Sequence, residues 1–164
     1  MPTLIPKEEC SSNALVLPKQ DVIIFDRLRS AHEPRIRGLY ADFLESFWIG
    51  EFSRNNLDRG GIGDKFSASD LLGLDPVLFV TELELVSLPP NWMEGIQLLE
   101  NIRKIPGFKL VPPALVITNS KALCRAHHNF GRLNVRWAFT WKGLRLFSEQ
   151  DRFRGIIRQL VRGH

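Results

Sequence analysis

Short apolar runs alternate along the chain with stretches in which apolar residues recur every three or four positions. The segments "DVIIFD", "FWIGEF", "VLFVTE", "PALVIT" and "NVRWAFTWK" each predict a strand. Several of these runs contain no polar residue until their last positions. Continuous apolar runs of this length are typical of strands that are buried on both faces of a parallel sheet.

Helical spacing appears between these runs. Residues 33–47 place apolar side chains on one face behind Pro34, which suits a first helical turn. The segment "SASDLLGL" predicts a short helix with a serine cap and a stop at Gly73, and "WMEGIQLLENIRKI" predicts another. "NSKALCRAHHNF" predicts a helix capped by Asn119 or Ser120, and a last amphipathic helix starts at "SEQDRF". "NNLDRGGIGDK" is predicted to be a polar loop.

The order of these elements is a strand followed by a helix, repeated about five times. We therefore predict an α/β fold in which a doubly wound parallel sheet of about five strands is covered by helices on both faces. Residues 21–164 would form this single domain. Residues 1–20 contain three prolines and no sustained periodicity, so we interpret them as an N-terminal extension.

Composition and charge indicate where the protein acts in the cell more than which chemistry it performs. A chain of 164 residues with a net charge of +4 spread over scattered basic and acidic residues fits one domain and indicates nucleic acid only weakly. Cys10 and Cys124 match no metal-ligand spacing and are not expected to pair, which favours a reducing cytosol. Neither a signal-peptide pattern nor a membrane-length apolar run is present, so we expect a cytoplasmic protein.

Polar side chains follow four of the predicted strands. Asp26, Glu82 and Thr118 end the first, third and fourth strands, and Lys142 lies just past the fifth. In an open parallel sheet the functional crevice lies at the carboxyl ends of the strands. Two acids, a hydroxyl and an ammonium are therefore predicted to meet there, contributed by segments that are far apart in sequence.

Five motifs in this order resemble the receiver domain of bacterial response regulators, which implies a flavodoxin-like, doubly wound, five-stranded parallel sheet. They are "VIIFDR", "VLFVTELEL", "MEGIQLLENIR", "PALVITNS" and "RWAFTWKGL", and the resemblance covers about residues 21–162. It implies a phosphoacceptor pocket built from Asp26, Glu82, Thr118 and Lys142, with Phe139 as the aromatic residue that switches rotamer. It also implies signal transduction or transcriptional regulation, with Lys142 within ion-pair reach of Glu82 or Asp26.

Two positions depart from the family pattern. Glu82 stands where the family has the aspartate that is phosphorylated, and Arg27 stands where it has a second acid. A longer side chain moves the carboxylate by about 1.5 Å, which spoils in-line attack on a phosphodonor. A cation beside the site disfavours magnesium, and the guanidinium could pair with Glu82 or Asp26. Shifting the alignment by one residue would place Thr81 at the acceptor position, which is no better a nucleophile.

We therefore expect an atypical receiver, a pseudo-receiver, that is not an enzyme and uses no cofactor or metal. It would act through phosphorylation-independent protein–protein interaction or dimerisation. The last strand and helix carry aromatic and basic residues of the kind enriched at interfaces, and we assign the interaction face to Trp137, Trp141, Arg152 and Arg158.

Several alternatives remain open at this stage. The chain could be a phosphorylatable receiver with an unusual pocket, or could bind nucleic acid weakly through its basic last helix; DNA could also be contacted by an effector domain outside this chain. An enzyme is a third alternative, although no nucleophile–base pair stands out. Residue by residue, the two acids could be solvated strand ends, Thr118 a helix cap and Lys142 a surface lysine.

Overall fold

The fold is given by a computed structural model that describes residues 21–27, 46–86, 91–108 and 110–162. The predicted extension at residues 1–20 and all but the end of the predicted helix at residues 33–47 lie outside the described residues. The described strands are β1 (Val22–Phe25), β2 (Ser46–Ile49), β3 (Leu78–Glu82), β4 (Ala114–Thr118) and β5 (Val135–Thr140).

These strands form one sheet in the order β2-β1-β3-β4-β5, and every neighbouring pair is parallel. This is the flavodoxin-like order, so the predicted fold class is confirmed. β2 begins one residue earlier than "FWIGEF" suggested, because Ser46 pairs with Val22 in the sheet, and it ends at Ile49. The helical spacing of residues 33–47 therefore extended too far, because Phe47 belongs to the strand.

The described α-helices are α1 (Arg54–Asp58), α2 (Ala68–Leu74), α3 (Met93–Arg103), α4 (Ser120–Ala126) and α5 (Phe147–Arg162), with 3-10 turns at His127–Asn129 and Gly143–Arg145. All of α1 except its first residue, Arg54, lies in the segment "NNLDRGGIGDK" that was predicted to be a polar loop, so that part of the prediction is wrong. Ser53 caps α1 by accepting a hydrogen bond from the Asn56 N–H, and Leu57 is its buried residue. One apolar side chain in five residues is too few to show a helical period.

The ends of α2 and α4 show which capping signals were correct. Ser67 caps α2 in a capping box with Asp70, as the serine predicted. The helix does not stop at Gly73, however; it runs to Leu74, and Asp75 takes the left-handed conformation at φ 48°. Asn119, rather than Ser120, caps α4 by accepting from the Ala122 N–H at 2.8 Å.

Apolar side chains pack against both faces of the sheet. The first cluster joins alternate strand residues such as Ile23 and Phe79 to helices α1 to α4, while the second joins the intervening residues such as Ile24 and Val80 to Phe153 of α5. The strands are buried on both sides because each face is covered. Within the described residues, no helix combines the length and the apolar character needed to span a membrane.

Candidate functional site

Asp26 and Glu82 lie side by side at the carboxyl ends of β1 and β3. The register pairs Ile24 with Val80 and Phe25 with Thr81, so the next pair along the two parallel strands is Asp26 and Glu82. Asp26 also extends the pairing with β2, because its N–H donates to the Ile49 carbonyl at 3.0 Å. Asp26 is 1% exposed and Glu82 is 6% exposed, so both acids are almost inaccessible to solvent.

The two carboxyl groups are joined by a side-chain hydrogen bond. Burial, the hydrogen bond to Asp26 and the negative charge of Asp26 together raise the pKa of Glu82 from 4.5 to about 10. The positive charge of Arg27 and the Arg27 backbone N–H act in the opposite direction, but they are outweighed. Glu82 is therefore a neutral carboxylic acid at pH 7 that donates a hydrogen bond to Asp26. The alternative that both acids are solvated strand ends is wrong.

Arg27 extends from the end of β1 across to the segment that follows β3. Its Nε donates to the carbonyl oxygen of Glu84 at 3.2 Å. This nitrogen is thus bound to the backbone and not to either carboxylate, although the charge still lowers the pKa of Glu82. This hydrogen bond connects the segment after Glu82 to the end of β1.

Thr118 ends the neighbouring strand β4. It is 1% exposed, and its Oγ1 has no hydrogen-bond partner in the described structure; the same is true of Glu82 Oε2. Thr118 follows Ile117, the register partner of Glu82, so it lies at the same edge of the sheet. Because Asn119 caps α4, the role of helix cap is excluded for Thr118.

Lys142 is not joined to either acid by an ion pair among the described residues. It is exposed at the start of the 3-10 turn that follows β5. The predicted contact of Lys142 with the acids stays a prediction.

Phe139 lies in the core beneath α5. It is 2% exposed and meets Phe153 edge-to-face, with ring centroids 5.4 Å apart. The guanidinium carbon of Arg152 lies 4.6 Å from the Phe139 ring centroid, and Arg152 also pairs with Glu149 at 3.3 Å. The aromatic ring is thus held inward and covered by a cation. Its role as a switch stays a prediction.

The four residues of the predicted interaction face lie in different environments. Trp137 and Trp141 are half-buried and pack against the second core cluster. Arg152 and Arg158 are both exposed, but they are six residues apart on α5 and therefore point about 120° away from each other. Arg152 belongs to the border of the core, and Arg158 to the solvent side of the helix.

Two residues beside the pair were missed by the sequence analysis. Glu94, at the start of α3, is 1% exposed; it accepts from the backbone N–H groups of Leu85 and Val86 at 2.8 and 2.9 Å and from Arg54 Nη2 at 2.6 Å. Its neighbour Gly95 donates to the Leu83 carbonyl at 2.7 Å. Both lie in "MEGIQLL", where an acid followed by glycine just inside a helix could have indicated a close contact with a loop.

Gly95 also allows the first turn of α3 to pack closely against the end of β3. A Cβ at this position would lie 2.5 Å from the Glu82 carbonyl oxygen and 2.6 Å from Leu83 Cα. Only glycine permits this approach. Together, Glu94 and Gly95 attach the first turn of α3 to the segment that leaves the acid pair.

The chain was compared with family models, with curated protein sequences and with solved structures, and none matches it. The described residues also contain no group of three or more His, Cys, Asp or Glu side chains that could hold a metal ion.

Proposed function

We propose that this chain is a receiver-like regulatory domain that does not accept a phosphoryl group and acts through protein–protein interaction or dimerisation. The five-stranded order, with acids at the ends of β1 and β3 and a buried threonine at the end of β4, supports the receiver-like part. The burial of Asp26 and Glu82 side by side, which raises the pKa of Glu82, is the observation that carries the rest.

A phosphoacceptor must present an ionised oxygen to phosphorus. Glu82 is neutral at pH 7 because its pKa is raised to about 10, and its proton is engaged by Asp26. A neutral carboxylic acid is a poor nucleophile, and burial keeps it in that form. The side chain at the position that would attack a phosphodonor is therefore not expected to act as a nucleophile.

The family's magnesium does not fit these residues either. Magnesium requires several oxygen ligands in near-octahedral geometry and is held in proteins by carboxylates. Here one carboxyl group is protonated, the other accepts a hydrogen bond from it, and Arg27 places a cation beside both. The same hydrogen bond keeps the ends of β1 and β3 together without a ligand. We infer that the domain holds one conformation and presents a constant surface to its partner.

Acetyl phosphate with magnesium chloride tests the first half of this proposal. Intact-mass spectrometry is expected to show no covalent phosphoryl group on the wild-type protein, as on the matched control Glu82→Gln. A substantial phosphoryl adduct on the wild type that is lost in Glu82→Gln would show that the pocket is active and would overturn the proposal.

Association tests the second half. Analytical ultracentrifugation and pull-down should detect a homodimer or a protein complex that forms without a phosphodonor. If the only measurable association is with nucleic acid, weakening steeply as salt rises, the basic last helix is the functional surface and the proposal is wrong.

A further inference from the structure

A cavity of about 630 Å³ lies at the edge of the sheet opposite the acid pair. Its walls come largely from residues that precede β3, β4 and β5, and the amino ends of these parallel strands meet at one edge. Asp26 and Glu82 lie at the other edge, at the carboxyl ends of β1 and β3. Binding sites for small ligands commonly have a volume of about 300–1,000 Å³, so this amino-end cavity is large enough to hold one.

Apolar side chains form most of the wall of the amino-end cavity. They include Leu72, Val77, Phe108, Leu110, Pro112 and Pro113. Leu110 is 85% exposed, so an apolar surface faces solvent here. The prolines fix the backbone of one side of the wall, and a wall that is already in place loses little conformational entropy when a ligand covers it.

The cavity also carries two opposite charges, Asp75 and Arg136. Both side chains are exposed, and neither takes part in an ion pair within the described residues. Arg136 uses its Nε to donate to Asn134 Oδ1 at 3.1 Å. Its two terminal nitrogens and the Asp75 carboxylate are therefore available to a ligand.

The polar groups are presented from left-handed backbone. Asp75 has φ 48° and Asn134 has φ 56°, and in the described part of the chain they are the only residues other than glycine with a positive φ. Such residues are uncommon and cluster at functional sites. Asn134 Oδ1 is held by Arg136, whereas its Nδ2 has no hydrogen-bond partner among the described residues and can donate to a ligand carbonyl.

The spacing of the two charges limits the ligand. Asp75 precedes β3 and Arg136 belongs to β5; because β4 lies between these strands, they are about 10 Å apart. A free amino acid carries both of its charges on one carbon atom and is too short to reach both residues. An extended peptide of three residues spans at most about 10 Å between its termini, which matches this spacing.

We propose that the amino-end cavity binds a short apolar peptide with free termini. The peptide ammonium group pairs with Asp75, its carboxylate pairs with the terminal nitrogens of Arg136, and its side chains pack on the apolar wall. Asn134 donates to a peptide carbonyl. This inference goes beyond the proposed function and does not rest on it, because it concerns a different edge of the sheet and a small ligand.

Trileucine provides the probe, and isothermal titration calorimetry on the full chain is expected to show saturable binding at one site. N-acetyl-trileucine lacks the ammonium group and trileucine amide lacks the carboxylate, so each should bind about fivefold more weakly. Leu110→Ser should weaken all three peptides alike, because it removes part of the apolar wall.

Two variants assign each terminus to its partner. Arg136→Gln should bind trileucine about fivefold more weakly but leave the affinity for trileucine amide unchanged, since that peptide has no carboxylate to lose. Asp75→Asn should act in the same way on trileucine and spare the acetylated peptide; asparagine also tolerates the left-handed conformation. Arg158→Gln, at an exposed arginine of α5, is the matched control and should bind like the wild type.

Circular dichroism checks that each variant is folded, which the exposure of the replaced side chains favours. The proposal is overturned if trileucine shows no saturable binding, or if the peptides blocked at either terminus bind as tightly as trileucine. Unchanged affinity in Asp75→Asn and Arg136→Gln, or an equal loss in Arg158→Gln, would also overturn it. The proposed function fails separately, through phosphoryl uptake by the wild-type protein, whatever the amino-end cavity binds.

Discussion

The carboxyl group of Glu82 donates a hydrogen bond to the carboxylate of Asp26 across the ends of two neighbouring parallel strands. Both residues are nearly fully buried. The proton on Glu82 removes one of the two negative charges, as a bound cation would. An acid pair in this state links the strands at the edge of the sheet where a receiver-like pocket would be expected.

The first prediction concerns pH. The pKa of Glu82 is about 10 in the folded chain against 4.5 for the ordinary side chain, so the folded state retains a proton that the unfolded state releases. The stabilising contribution is complete below about pH 4.5 and is lost progressively as the pH rises towards about 10. Urea denaturation at several pH values should show the free energy of unfolding falling across this window.

Glu82→Gln is the matched variant for this effect. Glutamine is neutral at every pH and can still donate to Asp26, so we expect a free energy of unfolding within about 1 kcal/mol of the wild type at neutral pH. The extra pH dependence of the wild type should be absent from the variant. If both proteins lose stability in parallel between pH 5 and 9, Glu82 is not the titrating group.

The second prediction concerns Glu94. Glu94→Ala leaves the N–H groups of Leu85 and Val86 without their acceptor and removes the closer of the two carboxylates that pair with Arg54. We expect a loss of about 3 kcal/mol, because unsatisfied buried donors are costly. Arg54→Ala should cost only about 1 kcal/mol, since the Arg54 side chain is 44% exposed and Glu94 keeps its two backbone donors.

Chemical denaturation of the two single variants and the double variant measures the coupling between Arg54 and Glu94. A cost for Arg54→Ala as large as that for Glu94→Ala would show that the ion pair, and not the backbone bonds, secures the loop after β3.

The third prediction compares two helical glycines. Gly95→Ala forces a methyl group against the Glu82 carbonyl and Leu83, so we expect a loss of at least about 2 kcal/mol. Gly155, on α5, has nothing within 4 Å of an added Cβ, and Gly155→Ala should stabilise the chain by about 0.5–1 kcal/mol. Thermal unfolding of the two variants should move in opposite directions; shifts of the same sign would contradict the contact at Gly95.

The fourth prediction separates two arginines of α5. Arg152→Ala removes the cation above Phe139 and should lower the free energy of unfolding by about 0.5–1 kcal/mol. Arg158→Ala should change it by less than about 0.5 kcal/mol, because that side chain is exposed. Charge reversal at Arg158 is therefore the cleaner test of binding through α5. Equal losses in the two variants would show that the cation–π contact contributes no stability.

The sequence alone predicted the architecture of this protein, through the periodicity of its apolar residues and the order of its motifs. Continuous apolar runs ending at Asp26, Glu82 and Thr118 predicted buried parallel strands, and the structure orders them as a flavodoxin-like sheet. Such runs are strong local signals because a strand that is buried on both faces carries apolar residues at nearly every position. The boundaries were weaker: α1 carries a single buried side chain, and α2 ends at a left-handed Asp75 that no residue preference indicated.

The state of the candidate site was decided by tertiary structure. The sequence placed Asp26 and Glu82 at strand ends, but only their common register and burial create the shared proton and raise the pKa of Glu82. The order of motifs likewise suggested that Lys142 lies near the acids, but its contacts are set by the turn after β5, on which it is exposed. Charge state and contact depend on distance and dielectric environment, which a linear pattern does not contain.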